Sequence, residues 1–224
     1  MSGSRQLPLP LPHEPSFARE DFLEFPSNAA ALALIDAWPN WPAPLMGLAG
    51  PEGSGKSHLA AIFAREAGAV RLDGRALADP EEATRGRALV VDDADAVRDE
   101  AGLFHLLNFA RSRGVPTLLT ARKAPDLWGV ATPDLLSRLR LAPIVGIAPP
   151  EPELIEAALV KLFADRQLSV EPSIVGYIAR RLERSLGAAR ALVEALDAEA
   201  LAQGRKVTRT MAAALLNSGA AEPD

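Results

Sequence analysis

Gly50-Pro51-Glu52-Gly53-Ser54-Gly55-Lys56-Ser57 decides the fold class, because of what lies on either side of it. The apolar run Leu45-Met46-Gly47-Leu48-Ala49 ends at the first glycine, and Lys56 opens a stretch with apolar residues at helical spacing. Strand, glycine-rich turn and helix in that order complete the pattern of a phosphate-binding loop. Glycines let backbone N–H groups converge on phosphate oxygens, and the helix start adds the positive end of its dipole. Lys56 then reaches the outer phosphates and the Ser57 hydroxyl joins a Mg2+ ion. The expected nucleotide contacts are Gly50, Pro51, Glu52, Gly53, Ser54, Gly55, Lys56, Ser57 and the adjoining His58, with ADP or ATP and Mg2+ as cofactors.

Working outward, strand and helix patterns alternate. Strands are expected at 45–49, 70–72, 88–91, 117–120 and 144–147, with helices over 29–38, 56–67, 100–112 and 133–138 between them. Ser27-Asn28 stands where a cap for the first helix belongs, and Pro39 and Pro42 stop that helix. Alternation of this kind predicts an α/β fold with a parallel five-stranded sheet and helices on both faces. After Pro149-Pro150 the texture turns wholly helical, over 151–165, 172–183, 188–202 and 208–216, so a small all-α lid is expected from residue 150 to 224. The α/β nucleotide-binding domain then spans 17–149. Residues 1–16 hold four of the nineteen prolines and read as an extended tail.

Leu89-Val90-Val91-Asp92-Asp93 is an apolar strand ending in two carboxylates, one strand-and-helix cycle after the glycine loop. Asp92 is the candidate to orient Mg2+ through water. Asp93 follows as a candidate base for water, and its carboxylate, one methylene shorter than that of Glu, is retracted by about 1.5 Å. Hydrolysis is therefore expected to be slow without a partner. Asp95 reads as a cap for the turn that follows. Thr120 ends the next apolar strand, where a hydroxyl would lie beside a terminal phosphate. In Asp134-Leu135-Leu136-Ser137-Arg138-Leu139-Arg140, either arginine could offer a guanidinium to a phosphate held by a neighbouring subunit, with Arg138 preferred. Arg190, among small residues early in a lid helix, could reach back to nucleotide.

Composition sets limits on the alternatives. The chain of 224 residues has 48% apolar and 24% charged residues, enough to bury a proper core. It has no Cys, and its three His at 13, 58 and 105 are scattered, so a metal must be held by oxygen. No apolar stretch is long enough for a membrane span and no leader pattern opens the chain, which leads us to expect a cytoplasmic location without membrane contact. A net charge of -5 argues against tight autonomous binding to duplex DNA. Two basic clusters, Arg180/Arg181/Arg184 and Arg205/Lys206/Arg209, read as solvated helix faces.

Taken together, the loop at 50–57, the pair Asp92-Asp93, Thr120 before Arg122, Ser137-Arg138 and Arg190 before Leu192 resemble the DnaA/Hda branch of AAA+ proteins. The resemblance implies that Thr120 is a first sensor, Arg138 an arginine finger acting in trans and Arg190 a second sensor. Pro26-Ser27-Asn28 is similar to the stretch that approaches adenine in that family, which adds Asn28 to the nucleotide contacts. Gln6-Leu7-Pro8-Leu9-Pro10-Leu11 resembles the clamp-binding motif of the Hda members, on a proline-stiffened strand suited to an apolar groove. Gln6, Leu7, Leu9 and Leu11 would then dock on the DNA polymerase III sliding clamp, the beta subunit. Nothing after about residue 217 offers a helix-turn-helix, and contact with DNA is expected only through the clamp.

The function implied is negative regulation of replication initiation, by stimulating ATP hydrolysis in DnaA while nucleotide-bound and tethered to the clamp. The alternative is a self-sufficient AAA+ ATPase, such as a helicase loader or a DnaA-like initiation factor. Self-association is left open.

Overall fold

The computed structural model describes residues 17–219. The expected clamp contacts Gln6, Leu7, Leu9 and Leu11 fall outside these residues. Two compact units divide the described chain, Phe17–Pro150 and the part from Glu151 onward.

The first unit runs α1 (Ala29–Asp36), β1 (Leu45–Ala49), α2 (Lys56–Ala67), β2 (Ala69–Asp73), α3 (Pro80–Ala83), β3 (Ala88–Asp92), α4 (Glu100–Ser112), β4 (Thr117–Ala121), α5 (Pro133–Arg140) and β5 (Ile144–Gly146). Its five strands lie in the order β2-β3-β4-β1-β5, and every pairing is parallel. Side chains alternate across each strand. Met46, Leu48, Val90 and Leu118 therefore join α1 and α2 in one core, while Leu89, Val91 and Leu119 join α4 and α5 in the other. A sheet buried on both faces explains why β3 reads as a continuous apolar run rather than an alternating one. A Cβ at Gly47 of β1 would stand 2.3 Å from Ile144 Cδ1 of β5, so the Ile144 side chain would have to turn aside.

Three details depart from the sequence expectations. Asn28 does not cap α1 with its side chain, because its amide is spent on the preceding turn: Oδ1 accepts from the Phe25 N–H at 2.9 Å and Nδ2 donates to the Leu23 carbonyl at 2.9 Å. The connection after β2 contains α3, a single turn whose first N–H groups are taken by Asp79 ahead of Pro80. Asp95 caps no turn of its own; its carboxylate accepts from the Arg122 N–H at 3.0 Å, after β4.

Trp38 and Trp41 pack rather than bind. Phe63, fully buried, stacks on Trp41 at 4.5 Å and meets Trp38 edge-on at 5.3 Å. Phe63→Ala is expected to cost about 3–5 kcal/mol, the range for opening an aromatic-sized cavity, readable as a lower denaturation midpoint.

The second unit comprises α6 (Pro152–Asp165), α7 (Pro172–Ala179), α8 (Leu186–Gln203) and α9 (Arg209–Gly219). It has its own core, including Ile155, Leu159, Ile178, Val193 and Leu196. Proline in the first turn of α6 and α7 gives up an N–H that would find no helical partner anyway. The helix expected over 172–183 ends at Ala179, because Ser185 starts α8 early by accepting from the Ala188 N–H at 3.2 Å. Among the described residues, no helix is long and apolar enough to cross a membrane.

Candidate nucleotide site

Parallel strands place all their carboxyl ends along one edge of the sheet, and that edge carries the site. β1 ends at Ala49, and the loop that follows turns on Gly53 and Gly55, both with positive φ (70° and 97°). No residue with a Cβ takes those angles cheaply. The N–H groups of Gly53, Gly55, Lys56 and Ser57 meet no acceptor among the described residues. Four donors at the start of a twelve-residue helix form an anion cradle.

Lys56 is buried, with 6% of its surface exposed, and its Nζ donates to the Gly50 and Pro51 carbonyls at 2.8 Å each. Burial pushes its pKa down, against the attraction of Asp93, Asp95 and Asp92. Ser54 is buried in the same loop, and its Oγ has no hydrogen-bond partner among the described residues. Arg122 pairs with Glu52 at 3.2 Å across the loop.

The acidic pair lies beside this cradle. Ser57 Oγ donates to Asp92 Oδ1 at 3.3 Å, and Thr120 Oγ1 donates to the same oxygen at 2.5 Å. Thr120 Oγ1 also accepts the Asp93 N–H at 2.9 Å. The fully buried Thr120 hydroxyl thus ties the Asp92 carboxylate and the Asp93 backbone N–H to the neighbouring strand. Arg71 forms an ion pair with Asp92, and Arg75 one with Asp93 at 3.0 Å. Asp93 itself sits in the left-handed region, with φ 51° and ψ 47°.

Burial acts to raise the Asp92 pKa, yet the hydrogen bonds from Thr120, Arg71 and Ser57, with the Arg71 charge, outweigh it. The carboxyl is held below its ordinary value of 3.8. A depressed folded-state pKa contributes stability above that ordinary value, and the contribution is lost as pH falls through the lower folded value. Denaturation measured from neutral pH to below 3.8 should therefore show an acid-side loss of stability that is smaller in Asp92→Asn.

The other sequence candidates are placed separately. Asn28 is buried beside Ser27, whose carbonyl accepts from the Ala148 N–H at 3.0 Å, so this turn also lies at the carboxyl edge. The His58 ring is held edge-on by Phe17 and Phe22 at 5.3 and 5.2 Å, with Nε2 3.2 Å from the Ala18 carbonyl. Arg190 belongs to α8 in the second unit.

Arg138 lies at the other edge of the sheet. It lines a groove of about 190 Å³ with Pro44, Leu45, Val115 and Thr117, at the amino ends of β1 and β4. Its guanidinium carbon stands 5.5 Å from the centre of the Phe104 ring, and its Nε has no hydrogen-bond partner among the described residues. Arg140 is instead paired with Asp126 at 2.5 Å. Arg71 and Arg75 escaped the sequence reading, because they meet the acidic pair only through the register of β2 on β3, where Asp73 lies opposite Asp92.

The donor set fits a nucleoside polyphosphate with Mg2+. The free N–H groups and Lys56 suit phosphate, while the Ser57 hydroxyl and Asp92 carboxylate supply adjacent oxygen ligands of the kind Mg2+ takes.

Comparison with solved structures identifies the fold. Domain III of the Thermotoga maritima replication initiation protein DnaA matches with a TM-score of 0.79 and 18% identity, over 94% of this chain and 99% of that one. Replication initiator DnaA bound to AMPPCP and single-stranded DNA gives 0.67 and 16%, over 81% of this chain and 64% of that one. The Thermotoga maritima RuvB Holliday junction branch migration motor gives 0.64 and 20%, over 84% of this chain and 66% of that one. No protein-family model and no curated protein matches the chain. The fold is the one these proteins share with this chain, a parallel five-stranded sheet flanked by helices and followed by a helical unit.

Proposed function

We propose that this chain is a nucleotide-bound regulator of replication initiation of the DnaA/Hda type, acting in the cytoplasm. It holds ADP or ATP with Mg2+ at 50–57 and docks on the sliding clamp through Gln6, Leu7, Leu9 and Leu11. From there it presents Arg138 to ATP-bound DnaA.

The observation that carries this reading is the separation of Arg138 from its own phosphate loop. A five-residue parallel strand is about 16 Å long, and Arg138 lines its amino end while the loop follows its carboxyl end. A guanidinium so placed cannot serve the nucleotide of its own chain, but it can serve one bound next door. Its alternative, Arg140, is occupied by Asp126.

Within the chain's own site the residues bind better than they react. Loop N–H groups and Lys56 hold phosphate oxygens, and Ser57 and Asp92 would hold the metal. Mg2+ supplies charge neutralisation across the phosphates. Asp93, one methylene short and tied to Arg75, is poorly disposed to activate water. Low intrinsic turnover follows, and the contribution to hydrolysis is made in trans, where an arginine finger is worth about a thousandfold or more.

Co-elution of the intact chain with the sliding clamp, lost when residues 1–12 are removed, tests the tether. The rival reading is a self-sufficient ATPase such as a helicase loader or initiation factor. Fast ATP turnover by the chain alone, abolished by Lys56→Ala, would establish that rival instead.

A further inference from the structure

We infer that the face of the second unit around Tyr177 binds the phosphate backbone of a nucleic acid. Two basic clusters that lie more than twenty residues apart in sequence meet there. The Arg181 guanidinium carbon stands 4.1 Å from the centre of the Tyr177 ring, and that of Arg209 stands 4.4 Å from the same centre. The two cations are therefore separated by no more than about twice that distance. That span can reach two neighbouring phosphates of one strand, which rise about 3.4 Å apart along the axis and lie farther apart through space.

The clusters are exposed throughout. Arg180, Arg181 and Arg184 follow or end α7, and Arg205, Lys206 and Arg209 lead into α9. None of the six forms an ion pair among the described residues, although Glu183 lies between two of them in sequence and Glu156 lies near Arg180 at Gly176. By contrast, Lys161 and Arg166 of the same unit are paired, with Asp165 and Asp197.

Placement on the helices separates the two clusters further. Arg180 and Arg181 sit at the carboxyl end of α7, where cations are at home. Arg205, Lys206 and Arg209 sit at the amino end of α9, the positive end of its dipole, and the first turn of α9 has no acidic residue to offset them. Cations gathered against a dipole without a carboxylate form a face whose missing counter-charge is an external anion. Stacking on Tyr177 holds two of the guanidinium groups in place, so less freedom is lost when phosphates dock.

Charge is also segregated along the chain. The described part from Glu151 onward carries nine acidic and nine basic residues, against a net -5 for the whole protein, and six of the nine cations belong to these two clusters. Overall acidity therefore does not exclude a local basic surface. The expected affinity is modest and strongly salt-dependent, and the contact is with backbone rather than bases.

The test is fluorescence anisotropy with the full chain and labelled oligonucleotides of one random sequence, double-stranded and single-stranded, titrated at several salt concentrations from about 50 mM. Binding should weaken steeply with salt. Arg181→Ala with Arg209→Ala should lower affinity at least tenfold and flatten the duplex log–log salt slope by about 1.8, or about 0.9 per lost phosphate contact. Arg205→Glu with Lys206→Glu, at exposed positions away from the Tyr177 stack, should lower affinity similarly, and it decides the matter if the first pair destabilises the helices. Lys161→Ala should leave binding unchanged. A preference for one oligonucleotide form identifies the natural ligand within the proposal. Absence of salt-dependent binding to either form, or equal binding by the parent and both double variants, would overturn it.

Discussion

Arg138→Ala is expected to reduce the stimulation of ATP hydrolysis in DnaA by about a thousandfold, to near the level of DnaA alone. The chain's own nucleotide affinity and clamp binding should not change. Magnitude and selectivity both come from position. A guanidinium delivered in trans stabilises charge that develops only in the transition state, so its loss appears in rate rather than in assembly. Arg138 lies at the amino edge of the sheet, a strand's length from Lys56, and among the described residues no hydrogen bond holds its Nε. Arg140→Ala is the matched control: it removes the pair with exposed Asp126, worth at most about 1 kcal/mol, and should leave stimulation within a few-fold of the parent.

Lys56→Ala is expected to weaken binding of ADP and ATP by about a hundredfold. Charge-assisted hydrogen bonds contribute about 1.5–3 kcal/mol each, and Lys56 is the cation buried within the cradle. Its ammonium donates to the Gly50 and Pro51 carbonyls, so the substitution also removes the contacts that hold the loop's shape. Burial already lowers the Lys56 pKa, and an arriving phosphate reverses that cost by supplying the opposite charge. Isothermal titration with each nucleotide checks the result. Affinity within a few-fold of the parent would mean that the loop N–H groups alone carry binding.

These two substitutions probe residues that differ in how far sequence could reveal them. The glycine loop was legible because its chemistry is local: strand, turn, Lys and Ser are fixed by spacing within one short stretch. The parallel core was legible for a related reason, since β3 and β4 are apolar on both faces and each is followed by turn residues and a helical pattern. The pairing of Arg140 with Asp126 was not legible, because a turn brings the two together. Arg71 and Arg75 could not be singled out as partners of the acidic pair, since strand register rather than sequence distance joins them. The Thr120 hydroxyl links the Asp92 carboxylate to the Asp93 N–H, a contact between adjacent parallel strands that no spacing encodes. Asn28 shows local competition, in which a side chain able to cap a helix is better satisfied by the turn before it. The meeting of Arg181 and Arg209 on Tyr177 is likewise a product of helix packing, with α7 and α9 brought together from separate stretches of chain.

The most direct measurement is ATP hydrolysis by DnaA in the presence of this chain, with and without DNA-loaded clamp, for the intact protein and for one lacking residues 1–12. The account predicts stimulation that requires the loaded clamp and disappears on truncation. Failure to stimulate DnaA hydrolysis in any combination, with nucleotide and clamp binding intact, would contradict it.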